Sequence, residues 1–335
     1  MNITTFRGPN RPSSYLIRSK RPMNQGELML KLILAIGLAS ALAQAQPIIT
    51  AIENAAGLQN CLPPSTPAGS GGCNVPYAPN TWYTIYGTNL ATITGAWKAS
   101  DFVNGLMPTV LNGVSVGVSN LGYEPGVEQY QAELAYVAYT SPTQVNFLTP
   151  PEAFTTGATV EINPPSINSF FGGCYDYVAY GWYCPAVMTL ESVPSVAPNF
   201  FLYSGTSYVV AEHADGRLVG PTTLDPGMTT PAAPGETIVL YADGLGAVSG
   251  TIVPGSIVQS GTLLVTPAVQ IGNDTISYNA DVKFVGLISP GLYQINIVVP
   301  DSVPPGDNQI AIIVPVGVAT SFVSDQPVFI SVAAQ

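Results

Sequence analysis

The chain carries one segment twice. Ser289-Pro-Gly-Leu-Tyr-Gln-Ile-Asn-Ile-Val-Val-Pro300 is echoed earlier by Ser141-Pro-Thr-Gln-Val-Asn-Phe-Leu-Thr-Pro150. In each, a Ser-Pro turn leads into a run with Gln and Asn two positions apart, apolar residues alternate with them, and a proline ends the run. A period of two residues sends successive side chains to opposite faces, the pattern of a β-strand with one face buried. Tyr293, Ile295, Ile297 and Val299 would share the buried face of one copy, and Val145 and Phe147 that of the other.

Further stretches match in the same order. Thr81-Trp-Tyr-Thr-Ile-Tyr-Gly-Thr-Asn-Leu90 corresponds to Gly235-Glu-Thr-Ile-Val-Leu-Tyr-Ala-Asp-Gly-Leu-Gly246, each a strand signal running into a tight bend. Residues 108–118 correspond to 267–276, residues 135–140 to 282–287, and residues 157–162 to 307–314. With 33 Gly and 31 Pro and only 9% charged residues, the chain suits short strands joined by turns. The expectation is an all-β protein, a duplicated β-sandwich. Its divisions would be 1–45, a signal peptide; 46–205, a first module with cysteine-stapled insertions; 206–233, a connector with a hairpin at Asp215-Gly216; and 234–335, a second module.

Ser195-Val-Ala-Pro198, the Ala-x-x-x-Asp-Gly-x-Leu-Val run from Ala211, Pro231-Ala-Ala-Pro-Gly-Glu-Thr-Ile-Val-Leu-Tyr-Ala-Asp-Gly-Leu-Gly246 and Gly291-Leu-Tyr-Gln-Ile-Asn296 carry a resemblance. Together they are similar to the C-terminal module of many secreted acidobacterial proteins, the Solibacter-type C-terminal domain, an immunoglobulin-like fold of the IPT/TIG kind. The resemblance implies two tandem immunoglobulin-like β-sandwich modules after the signal peptide. It implies no activity, because the module has none assigned to it. The cysteine-stapled insertions in the first module depart from that pattern.

The leader reads as an export signal. Basic residues precede an apolar core, Leu32 to Ala43, and Ala43-Gln44-Ala45 supplies the small-x-small pattern expected before a cut after Ala45. The core is shorter than the ~20 residues needed to cross a bilayer, so no membrane span is expected in the mature chain. Six of the nine bases precede this core, leaving Lys98, Arg217 and Lys283 against nineteen carboxylates. Such an acidic chain repels phosphate backbones, which sets nucleic acid aside as a partner. Secretion or cell-surface display is the expected destination, and the sequence fixes no oligomeric state.

The four cysteines fit an oxidising compartment. Three pairings are open to them, and the two local ones, Cys61 with Cys73 and Cys174 with Cys184, are the most economical. Closing a loop of about ten residues in this way is worth roughly 2–3 kcal/mol. A four-cysteine metal site would want closer spacing, so no metal is expected there.

Chemistry is sparse. His213, the single histidine, neighbours Glu212 and Asp215 on the expected hairpin. With no Gly-x-Ser-x-Gly elbow in the chain it reads as a surface residue rather than a general base. Asp176, Glu191, Asp243 and Asp281 are available as a glycosidase-like acid pair, but nothing in their spacing singles out two of them. No Asp-x-Asp-x-Asp-Gly loop announces calcium, although Asp243, Asp274 and Asp281 could assemble in space.

The densest candidate surface is 168–184, where Tyr175, Tyr177, Tyr180, Trp182 and Tyr183 crowd between two cysteines, together with Phe170 and Phe171. Aromatic faces with polar rims suit sugar rings or a protein partner, and the competing reading is a lid over the first module. The expectation is therefore a non-catalytic interaction or structural protein with no catalytic residues and no cofactor. It would bind an extracellular polysaccharide or an envelope protein. The alternative is a carboxylate-based hydrolase of extracellular glycans.

Overall fold

Gln144 and Gln294 each donate an Nε2 hydrogen to the Asn two residues on, Asn146 and Asn296, and both bonds measure 2.8 Å. The same brace on the same strand face recurs because the two segments are strands in equivalent places. Gln144–Leu148 pairs antiparallel with Trp82–Thr88, placing Gln144 opposite Tyr86. Leu292–Val298 pairs antiparallel with Thr237–Asp243, placing Gln294 opposite Tyr241. The alternate residues face inward as their period requires, with Val145, Phe147, Ile295 and Ile297 sealed from solvent.

The computed structural model describes residues 46–54, 61–62, 71–120, 133–151, 158–163, 175–177, 181–183, 187–191, 196–273, 275–315, 321–323 and 327–335. These are all-β: strands throughout, with one 3-10 turn at Ala99–Asp101 and no α-helix among the described residues. No described helix is long and apolar enough to cross a membrane.

In the first half a five-stranded sheet runs in the order Ile48–Asn54, Trp82–Thr88, Gln144–Leu148, Tyr136–Thr140, Gly95–Ala96. A second sheet contains Val114–Asn120 beside Ala158–Ile162, with Val187–Glu191 and Gly71–Pro76 beyond. The inward residues of both sheets meet in one core, Ile52, Tyr83, Ile85 and Phe147 from one side, Val116, Val118 and Val160 from the other. Each fully buried large side chain contributes about 1.5–3 kcal/mol, so this layering holds the half together.

The second half repeats these pairings. Ala268–Gly272 lies beside Gly306–Pro315 as Val114–Asn120 lies beside Ala158–Ile162. The 13-residue strand Ser277–Ser289 pairs with Ala268–Gly272 at its start and with Leu292–Val298 along its remainder, so one strand serves both layers. In the first half the equivalent chain breaks at Ala135, between Glu133–Leu134 and Tyr136–Thr140. A second core follows, built on Ile238, Leu240, Ile271, Ile295, Ile297 and Ile312. Val196 and Phe200 belong to it, because Asn199–Phe200 pairs with Thr237–Asp243.

Gln46–Gln335 forms one compact unit, so the two halves pack together. Met107 N donates to Gly255 O at 2.7 Å and Ile257 N to Gly105 O at 3.0 Å, tying a loop of the first half to a loop of the second. Trp82 Nε1 donates to Pro290 O at 2.9 Å.

Candidate functional site

The junction between the halves contains an aromatic-lined cleft of about 480 Å³. Trp82 enters it from the first residue of its strand, whose next residue, Tyr83, points the other way into the first core. The strand's alternation thus commits one aromatic to structure and offers its neighbour to the cleft. Trp97 and Phe102 arrive from the chain around the Ala99–Asp101 turn, which the Lys98 amide closes by donating to Asp101 Oδ2 at 2.6 Å. The Trp82 and Trp97 rings meet edge-on with centroids 5.8 Å apart, and Trp97 and Phe102 lie at 5.1 Å, tilted by 55°. Such offset and edge contacts suit the quadrupoles of the rings and fix their positions. Ile257, Ser289 and Pro290 complete the wall from the second half, over a floor that includes Met107.

Two glycines allow this approach. Gly291 has φ +67°, and a Cβ there would sit 2.6 Å from Trp82 Cδ1 and 2.7 Å from Leu148 Cδ1. Gly255 has φ +73°, and its Cβ would meet Tyr136 Cε1 at 2.6 Å. No other residue permits both the left-handed backbone and the contact. The apolar surface continues past the cleft: Val103, beside Phe102, is 66% exposed, and Val258, beside Ile257, is 79% exposed.

The sequence had singled out the aromatic segment 168–184 instead. Tyr175–Tyr177 and Gly181–Tyr183 form an antiparallel pair with Asp176 opposite Trp182. The side chains of Tyr175, Tyr177, Trp182 and Tyr183 lie outside the described residues, as do Tyr180, Cys174 and Cys184 altogether. Cys61 and Cys73 are register partners on neighbouring strands, Cys61–Leu62 and Gly71–Pro76, with their side chains likewise outside the description.

His213 is not a surface residue. A hairpin turns at Asp215–Gly216, but the imidazole at its base is only 6% exposed. Its Nδ1 donates to Glu236 Oε1 at 2.6 Å, and Nε2 lies 2.9 Å from Thr230 Oγ1 and 3.1 Å from Thr230 O. Carboxylate, imidazole and hydroxyl follow the order of a hydrolase relay. Here Nε2 faces a backbone carbonyl as well as the hydroxyl, and the ring is sealed, so the contact clamps the hairpin to the chain at Thr230 and Glu236. Glu236 completes the clamp by accepting from Ala233 N at 2.8 Å.

Of the candidate acids, the two whose side chains are described do not converge on a cleft. Asp281 is exposed and paired with Lys283, whereas Asp243 is fully buried, so these two share no opening. The side chains of Asp176 and Glu191, and all of Asp274, lie outside the described residues. Among the described residues no group of three His, Cys, Asp or Glu is placed to hold a metal ion. Comparison with known protein families and with characterised proteins returns no match.

Proposed function

We propose that this chain is an exported, non-catalytic interaction protein in which two immunoglobulin-like halves mount the cleft between them for a protein partner. The observation that carries this reading is the cleft's lining: three aromatic rings with Met107, Ile257 and Pro290, and a single hydroxyl, Ser289, among its side chains. Its volume of about 480 Å³ suits one or two apolar side chains. Among the described residues that line it there is no nucleophile with a base and no acid pair.

Two partners were expected from the sequence, a polysaccharide and an envelope protein, and the lining favours protein. A sugar stacks on aromatic faces but needs donors and acceptors around its rim, and a buried hydroxyl left unpaired costs about 1–3 kcal/mol. The Trp82 N–H is already engaged by Pro290 O, which leaves little to offer a sugar. Charge narrows the partner further. With nineteen carboxylates after the leader and three bases, an approaching segment gains from basic residues flanking its apolar anchor. The resemblance to a secreted module without chemistry of its own supports export and a binding role.

Calorimetric titration of the purified protein tests the partner class. A short peptide carrying phenylalanine between lysines is expected to bind saturably, more weakly as salt rises, while its glutamate counterpart does not bind. Saturable binding of a neutral polysaccharide with no binding of the basic peptide would overturn the protein-partner reading.

A further inference from the structure

The last residue of the strand Thr237–Asp243 is a carboxylic acid with no exposed surface. It sits where the halves meet. Asn54, from the first half, donates its Nδ2 to Ala197 O at 3.0 Å and lies against the Asp243 carboxyl, yet neither carboxyl oxygen has a hydrogen bond of ordinary geometry. Two phenols also face it, Tyr83 from the first half and Tyr293 from the second. Neither offers its proton: Tyr83 Oη donates to Pro76 O at 2.7 Å and Tyr293 Oη to Gly246 O at 2.5 Å. No cation is near. Lys98, Arg217 and Lys283 are the only bases after the leader, and all three are exposed, Arg217 beside Asp215 and Lys283 beside Asp281. The nearby Asn54 amide and the N–H of Asp243 itself favour the ionised form, but burial outweighs them, so the neutral acid is the form the fold accommodates.

We propose that Asp243 is a proton-operated latch on the junction: as a neutral acid it lets the halves close on it, and loss of its proton loosens them. The cleft is attached to the same elements. Tyr83 directly follows Trp82, and Tyr293 follows Pro290 by three residues in the hairpin whose carbonyl holds the Trp82 indole. The latch does not depend on the cleft being a binding site.

Burial holds the folded-state proton well above the ordinary carboxylate value of 3.8, at which the unfolded chain releases it. The folded form therefore binds the proton more tightly. Its stability is full below that value and falls as pH rises, by about tenfold in the folding equilibrium per pH unit, until the folded group ionises. Asp243→Asn keeps the shape and removes the titration.

The test is urea unfolding of the full chain and of Asp243→Asn at a series of pH values from 4 upward. The two are expected to match at pH 4 and to diverge above it, with the variant the more stable. Parallel curves would overturn the proposal. Should the variant fail to fold, infrared spectroscopy of the wild type decides. A protonated carboxyl stretch persisting at neutral pH, and vanishing as tryptophan quenching by acrylamide rises, supports the latch, and absence of that band at neutral pH refutes it.

Discussion

Gly291 and His213 carry more of the architecture than their chemistry suggests. A methyl group at Gly291 would collide with Trp82 and Leu148 and strain a backbone at φ +67°. Gly291→Ala is therefore expected to cost about 1–3 kcal/mol and to shift the tryptophan emission, measured by urea unfolding followed by fluorescence. His213→Ala takes one partner from the Glu236 carboxylate, which keeps Ala233 N, and removes the tie to Thr230, at a cost of about 1–2 kcal/mol. The same unfolding experiment measures it, and peptide binding should be unchanged because the clamp does not line the cleft. Neither role was legible in the sequence. Glu236 stands 23 residues from His213, beyond a proline-rich connector, so a histidine beside an Asp-Gly turn read as exposed. Asp243 was one acid among many until the fold set it near Asn54, Tyr83 and Tyr293, which lie on three separate strands.

At the scale of elements, the repeated strand was legible because its period of two states its own phase. Ile295 has no exposed surface, and Ile295→Asp would bury an unpaired charge between neighbours that cannot solvate it. Loss of cooperative unfolding and of near-ultraviolet dichroism from the second core is the expected result, and a natively folded variant would contradict the register. The matching of Tyr86 with Tyr241 was likewise readable, since both precede a bend and both lie opposite the signature Gln. The cleft was not readable in this way. Trp82 looked like any alternating strand residue, and Trp97 and Phe102 lie in irregular chain with no period to mark them. Density of aromatics drew attention to Tyr175–Tyr183 instead, whereas the cleft's rings come from positions up to 20 residues apart and face residues from Ile257 to Pro290. A local count cannot register such a convergence.

In the described residues two halves, each with its own core, meet at a surface that neither has alone. The first half supplies the rings, the second supplies Ile257, Ser289 and Pro290, and backbone bonds between the loops at Gly105 to Met107 and Gly255 to Ile257 hold them at a fixed distance. An all-β fold with no reactive cluster among the described residues of its junction has this surface to offer a partner. The direct measurement is peptide affinity for the wild type, Trp97→Ala and Trp182→Ala, with melting temperature recorded for each. Trp97→Ala is expected to lower affinity at least about tenfold, corresponding to the ~1.4 kcal/mol or more that an aromatic anchor contributes, and to lower the melting temperature because the ring packs on the core beneath, with binding read at a temperature where the variant is folded. Trp182→Ala should bind as the wild type does. Loss of binding in Trp182→Ala, with Trp97→Ala unaffected, would contradict this reading and return the working surface to the aromatic segment 168–184.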